Sequence, residues 1–282
     1  MKKYKYIFLF LLVSFSFTAN SKDKFKIYDG TQYRNKPNFS SYDINNTTIL
    51  YASRFWKKNQ SRNKIPSETT FKELSNRFDG KSEFIVLDIE HWPVQGYPNL
   101  YIRNSINKYK KFYSTAKEHF SKSKLGYFGG PIPISNFTRS IQPKDSKLYK
   151  VWSEDNDRLK DLGNSTDILF PSAYTYTESI DDWNIHFHSM LEQAKKFNPK
   201  KIYFFLWPQY FDHKPTPKKL HLKFIPSHYW KHQLSMALKH ADGVIIWGGW
   251  DFKNKDKMNW DDNAEWWIIT KEFINENTNL IK

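Results

Sequence analysis

Two carboxylates two positions apart, Asp88 and Glu90, close the apolar run at 83–90 (EFIVLDIE). Successive side chains of an extended segment point to opposite faces, so Val86, Asp88 and Glu90 share one face and Leu87 and Ile89 the other. Two ionised carboxylates held close raise one another's proton affinity, which keeps one of them protonated near neutral pH as a general acid. Such a pair, ringed by aromatic and hydrogen-bonding groups, is suited to breaking glycosidic bonds. A purely structural pair is disfavoured, because burying it behind Phe84-Ile85-Val86-Leu87 without a function is costly.

The ringing groups come from the ends of other apolar runs. They are Tyr127, Tyr174 with Tyr176, Trp207 with Gln209 and Tyr210, and Trp247 with Trp250 and Asp251. The chain holds 11 tryptophans, and a broad indole face offers a sugar ring a large apolar contact. Any one aromatic residue can be core alone; their recurrence at successive run ends points to a binding wall.

The elements that must position these groups follow one pattern. Apolar, β-branched or aromatic runs at 83–90, 124–130, 167–174, 201–210 and 242–250 alternate with helix-period segments at 102–121, 146–162, 180–197, 227–240 and 262–275. Ser227 and Asp262 stand where N-caps belong. Continuous rather than alternating apolarity reads as strands buried on both faces, as in a parallel sheet. Earlier in the chain, 26–28 and 48–52 read as strands and 68–78 as a helix. The sum is an α/β fold, a TIM-barrel-like (β/α) barrel of seven or eight strands, with chemistry at the carboxyl ends. An open nucleotide-binding sheet would show a glycine-rich turn opening a helix after its first strand. Gly129-Gly130 runs into Pro131 and Gly248-Gly249 into Trp250, so neither does.

The chain has 282 residues and no cysteine, which excludes disulfides and cysteine zinc sites. A basic start, a short apolar stretch and a small-residue exit over 1–21 read as a secretory signal, too short to span a bilayer. The expected product is therefore a secreted or periplasmic (β/α)-barrel domain of residues 22–282, without an integral membrane segment. The net charge of +15 favours polyanions. No nucleic-acid module appears and the charge is dispersed, so nucleic acid is not the expected partner. The long connections at 131–145 and 211–226 lie where a barrel builds its substrate groove, and Lys214, Lys218, Lys219 and Lys223 would rim it. The pairs His186/His188 and His228/His232 fall in exterior helices and read as surface or packing residues. No metal and no cofactor are expected.

The motifs resemble the hyaluronidases, retaining endo-N-acetylhexosaminidases on a seven-stranded (β/α) barrel. Asp88-Ile89-Glu90-His91-Trp92-Pro93 is similar to the family's Asp-Trp-Glu-Glu-Trp-Arg-Pro. Gly126-Tyr127-Phe128, then Phe170-Pro171-Ser172-Ala173-Tyr174 against Tyr-Pro-Ser-Ile-Tyr, then Gly243-Val244-Ile245-Ile246-Trp247-Gly248, follow in order across 83–250. The resemblance implies that Glu90 is the proton donor. It makes Asp88 the group that orients the substrate's acetamido function, whose carbonyl oxygen is the nucleophile. Tyr127, Tyr174 and Trp247 would line the subsite of the reacting sugar. Ile89 stands where the family has Trp, the Arg after Trp92 is missing, and the cysteines that brace the family's barrel are absent.

Asp88 and Glu90 share a strand face and reach the sugar from one side, whereas a conventional retaining pair flanks the bond. Asp251 is the only other carboxylate at a strand end, in a loop-like setting. The expected activity is thus that of an exported, endo-acting glycoside hydrolase of an N-acetylhexosamine polysaccharide, with a basic surface that suits an anionic one, by substrate-assisted acid/base catalysis. A barrel that binds or assembles polysaccharide without turnover, and a muramidase-like hydrolase, are the open alternatives.

Overall fold

The computed structural model describes residues 24–129, 131–199 and 201–282. The expected signal at 1–21 lies outside the described residues, as does Gly130.

Seven strands carry the barrel: β1 (Lys26–Thr31), β2 (Ile44–Asn46), β3 (Thr48–Tyr51), β4 (Phe84–Asp88), β5 (Lys124–Tyr127), β6 (Tyr203–Leu206) and β7 (Gly243–Gly248). Every pairing among them is parallel. One sheet runs β2-β1-β7-β6 and another β3-β4-β5. On one side they adjoin where β2 passes into β3 across Thr47. On the other, single parallel bridges join Phe128 to Phe170, Leu169 to Ile202 and Ser172 to Phe205. The run expected as a strand at 167–174 thus contributes bridges rather than a ladder. Its Pro171 lacks the N–H that a ladder needs.

Helices stand between the strands: α1 (Ala52–Phe55), α2 (Glu68–Phe78), α3 (Asn99–His119), α4 (Phe137–Ser140), α5 (Lys147–Asp157), α6 (Lys160–Ser165), α7 (Ile180–Lys195), α8 (Ser227–His240) and α9 (Glu265–Glu276). They form because their apolar residues recur at helical spacing: α3 buries Ile102, Ile106, Tyr109, Phe112, Tyr113 and Ala116. The helix expected over 146–162 breaks into α5 and α6 around Leu159. Two expected caps do not cap. Pro226 precedes α8, while Ser227 binds Glu265 instead. Ala264 precedes α9, and Asp262 accepts from the indole of Trp260. A short antiparallel hairpin, β8 (Trp250–Asp251) with β9 (Asp256–Lys257), follows β7.

Strand alternation sorts the core in two. Ile85, Leu87 and Ile89 of the β4 segment join the outer core with Phe204, Leu206, Val244 and Ile246. Phe84 and Val86 join the barrel interior with Tyr28, Tyr203, Phe205 and Ile245. At the amino-terminal end that interior is filled by aromatic rings: Phe84 lies 4.6 Å from Tyr28, 5.3 Å from Tyr203 and 5.0 Å from Phe170.

Candidate active site

At the carboxyl ends the same inward positions open into a cavity of about 420 Å³. Asp88 and Glu90 line it with Tyr174, Tyr176, Trp207 and Trp247. Continuing the alternation of β4 past Val86 brings both carboxylates inward, while Leu87 and Ile89 face the helices.

Burial and the neighbouring charge of Glu90 push the Asp88 carboxyl up to about 8. Glu90 is open to solvent through the cavity mouth and enclosed by protein elsewhere, and this desolvation raises its carboxyl as well. The pair therefore holds a proton at neutral pH. Among the described residues neither carboxylate is salt-bridged to Lys or Arg, so their charge is not quenched by a structural partner.

Trp207 and Trp247 meet edge-on, 4.8 Å apart at 86°. Trp207 donates its indole N–H to Gln209 (3.0 Å), and Gln209 donates in turn to the Leu222 carbonyl (2.6 Å). Trp247 donates to the Tyr51 hydroxyl (3.2 Å), which also accepts from Gln32 (2.9 Å). Tyr51 stands opposite Asp88 in the β3–β4 register. Burial, with the charge of Asp88 beside it, holds the Tyr51 phenol up at about 12. Tyr174 is raised by burial and by both carboxylates, and Tyr176 reaches about 12 through burial with Glu90 nearby.

Five residues read from the sequence as lining do not line the cavity. Tyr127 points the other way: its ring is 5.2 Å from Tyr109 in the outer core and its hydroxyl donates to the Tyr109 carbonyl. The reason is Gly126, whose added Cβ would lie 2.2 Å from the Ile168 carbonyl oxygen. Glycine takes the inward position there, and Tyr127 is left outside. Tyr210 packs in the outer core. Gln209 works behind the wall as the clamp on Trp207. Trp250 belongs to the β8–β9 hairpin. Asp251 binds Asn254 and the Lys253 N–H in an exposed turn, so it faces no reacting group.

Other lining residues went unread. Phe128 takes the inward place expected of Tyr127. Ser135 brings a buried hydroxyl beside that of Tyr176 to the wall, and Ser172 one that has no partner among the described residues. Phe211, Asp212 and His213 enter from the loop after β6, with Asp212 and the His213 Nδ1 2.5 Å apart. Of the expected lysine rim, Lys219 pairs with Glu178 at 3.4 Å, and Lys214 and Lys218 border a neighbouring hollow. His186 is buried between Phe137 and Tyr176, held neutral by burial at about 3, its Nδ1 2.6 Å from Ser140. His188 is exposed and stacks edge-on with His240. Among the described residues no group of three or more His, Cys, Asp or Glu could hold a metal ion, and no helix is long and apolar enough to cross a membrane.

No protein-family model matches the sequence, and no curated protein matches it. The fold does have solved counterparts. The crystal structure of bee venom hyaluronidase superposes with a TM-score of 0.61 at 17% identity, covering 90% of this chain and 98% of that one. A second structure, of bee venom hyaluronidase in complex with a hyaluronic acid tetramer, gives 0.60 at 15% identity over 91% and 97%. The chain therefore has the (β/α)-barrel fold found in this glycoside hydrolase.

Proposed function

We propose that the protein is an exported endo-acting glycoside hydrolase, one domain over residues 22–282, that cleaves beside N-acetylhexosamine with retention and without a protein nucleophile. The observation that carries this reading is the Asp88–Glu90 pair, both turned into an aromatic-walled cavity at the carboxyl end of β4, with Asp88 raised to about 8. The pair holds one proton at neutral pH. An acetamido N–H donated to Asp88 stabilises its ionised form and lowers its proton affinity, leaving the proton to the more open Glu90. The acetamido oxygen then attacks the anomeric carbon, the glycosidic bond breaks, and Glu90 protonates the departing oxygen. Glu90, now ionised, takes a proton from the water that opens the cyclic intermediate. Trp207 and Trp247 would hold the sugar ring.

The test compares an N-acetylated polymer with its de-N-acetylated form. The first should be cut and the second left intact, and a thiazoline mimic of the intermediate should inhibit. Asp212 is the other carboxylate in the lining. A covalent glycosyl ester trapped on Asp212 would replace this mechanism with double displacement. For export, the amino-terminal sequence of the mature product should begin at Lys22.

A further inference from the structure

The segment leading from Glu90 into α3 is held firmly. The Tyr109 hydroxyl bonds the carbonyls of Ile89 (3.0 Å) and Trp92 (3.1 Å), and the buried Trp92 donates to the Arg62 carbonyl (2.7 Å). Gln95 accepts from Asn136 at 3.0 Å, one residue from Ser135 in the cavity wall. Gly96 then turns the chain at φ 73° with nothing within 4 Å of the place a Cβ would take.

What this brace presents is apolar and unused. Tyr97, Leu100 and Tyr101 are 58%, 63% and 62% exposed. Among the described residues neither tyrosine joins a ring pair and neither hydroxyl has a partner. In a barrel where aromatic rings otherwise interlock, large exposed apolar side chains at a braced turn and in the first turn of α3 mark a contact surface. Tyrosine supplies broad contact area with little conformational freedom to lose.

We infer that Tyr97, Leu100 and Tyr101 form a platform for polysaccharide outside the cavity, on the leaving-group side of the bond. This rests on the proposed glycosidase reading. The occupant follows from the path of the chain: seven residues lead from Glu90 in the cavity wall to Tyr97, and the Gln95–Asn136 bond ties that stretch beside Ser135 of the same wall. The side follows from Glu90, since a proton donor faces the departing oxygen. A chain bound in the cavity then continues over the platform, so long polymer gains contacts that a short oligosaccharide lacks.

The experiment uses the full chain, native and Tyr97→Ala/Tyr101→Ala, with long hyaluronan, long N-acetylated chitosan and the tetrasaccharide of each. Affinity electrophoresis, turnover and sedimentation are measured, with a thermal melt as control. Expected is an affinity for long polymer lowered about tenfold, with tetrasaccharide affinity changed less than twofold and an unaltered melt. Equal loss on both lengths, or no loss on either, overturns the platform. So does a native chain that self-associates through these tyrosines, because the occupant is then a second copy. If the native chain cuts polymer and the variant is indistinguishable from it, the platform alone fails. If the native chain binds long polymer through the tyrosines yet cuts nothing, the glycosidase reading alone fails, and binding of no polymer removes both.

Discussion

The two halves of the barrel interior are built largely on the same segments, four residues apart (Phe84 and Asp88, Phe170 and Tyr174, Tyr203 and Trp207), and do opposite things. Toward the amino ends Tyr28, Phe84, Phe170 and Tyr203 close on one another at ring distances near 5 Å, and Glu83 satisfies the Tyr28 hydroxyl at 2.7 Å. Toward the carboxyl ends Asp88, Tyr174, Trp207 and Trp247 stand around open space. Filled space stabilises; open space with desolvated carboxylates does not, and its polar groups are held by the packing beneath them. Stability and chemistry are thus separated along each strand rather than between strands.

The largest expected effect that tests this separation is on turnover. Glu90→Gln should lower it by roughly 10²–10⁴ while the melting temperature stays put, and survival of more than about a tenth of native activity would remove Glu90 from the acid role. Next comes a matched pair. Phe84→Ala, in the filled half, should lose roughly 3–5 kcal/mol in denaturant unfolding. Trp247→Ala, in the open half, should weaken sugar binding and turnover with a smaller loss of stability. Equal destabilisation by the two would erase the distinction between the halves.

A subtler effect concerns pH. The folded Asp88 carboxyl titrates near 8, well above the usual carboxylate range, so between about pH 4 and 8 the folded state binds more protons than the unfolded one. Stability is then fullest below that window and declines as pH rises through it. Asp88→Asn removes this decline, so the variant's melting temperature should gain on the native as pH is raised from about 4 to about 8. A constant gap across that range would mean that Asp88 is not desolvated. The smallest effect belongs to Tyr127→Phe, which should cost about 1 kcal/mol for one lost hydrogen bond and leave turnover unchanged.

Tyr127 also marks the limit of what the sequence discloses. The β4 parity was readable because Leu87 and Ile89 alternate with carboxylates, which leaves one sensible way round. In β5 the alternation falls on Lys124, Gly126 and Phe128 against Leu125 and Tyr127, and either face could have been inward. Only the approach of the Ile168 carbonyl decides it. Tyr51 ends a recognised strand, but its importance comes from lying opposite Asp88 and beneath the Trp247 indole, a relation between segments far apart in sequence. Asp212 and His213 belong to a loop whose path is set by the bridge from Thr175 to Tyr210 and by the bonds of Leu222 to Tyr210 and Gln209. No local pattern encodes that path.

Both tryptophans of the cavity wall have already given away their N–H groups, Trp207 to Gln209 and Trp247 to Tyr51. Toward a ligand they are mute surfaces that report shape and say nothing of hydroxyl configuration. Apolar surface distinguishes related molecules only weakly, whereas a buried donor or acceptor rejects any molecule that leaves it unpaired. Discrimination between sugar epimers therefore falls to the polar groups left in the lining: the carboxylates of Asp88, Glu90 and Asp212, the His213 ring, the tyrosine hydroxyls, and the hydroxyls of Ser135 and Ser172. Replacing either serine should broaden the range of sugars accepted, and replacing the clamp Gln209 would give Trp207 back a donor with which to choose.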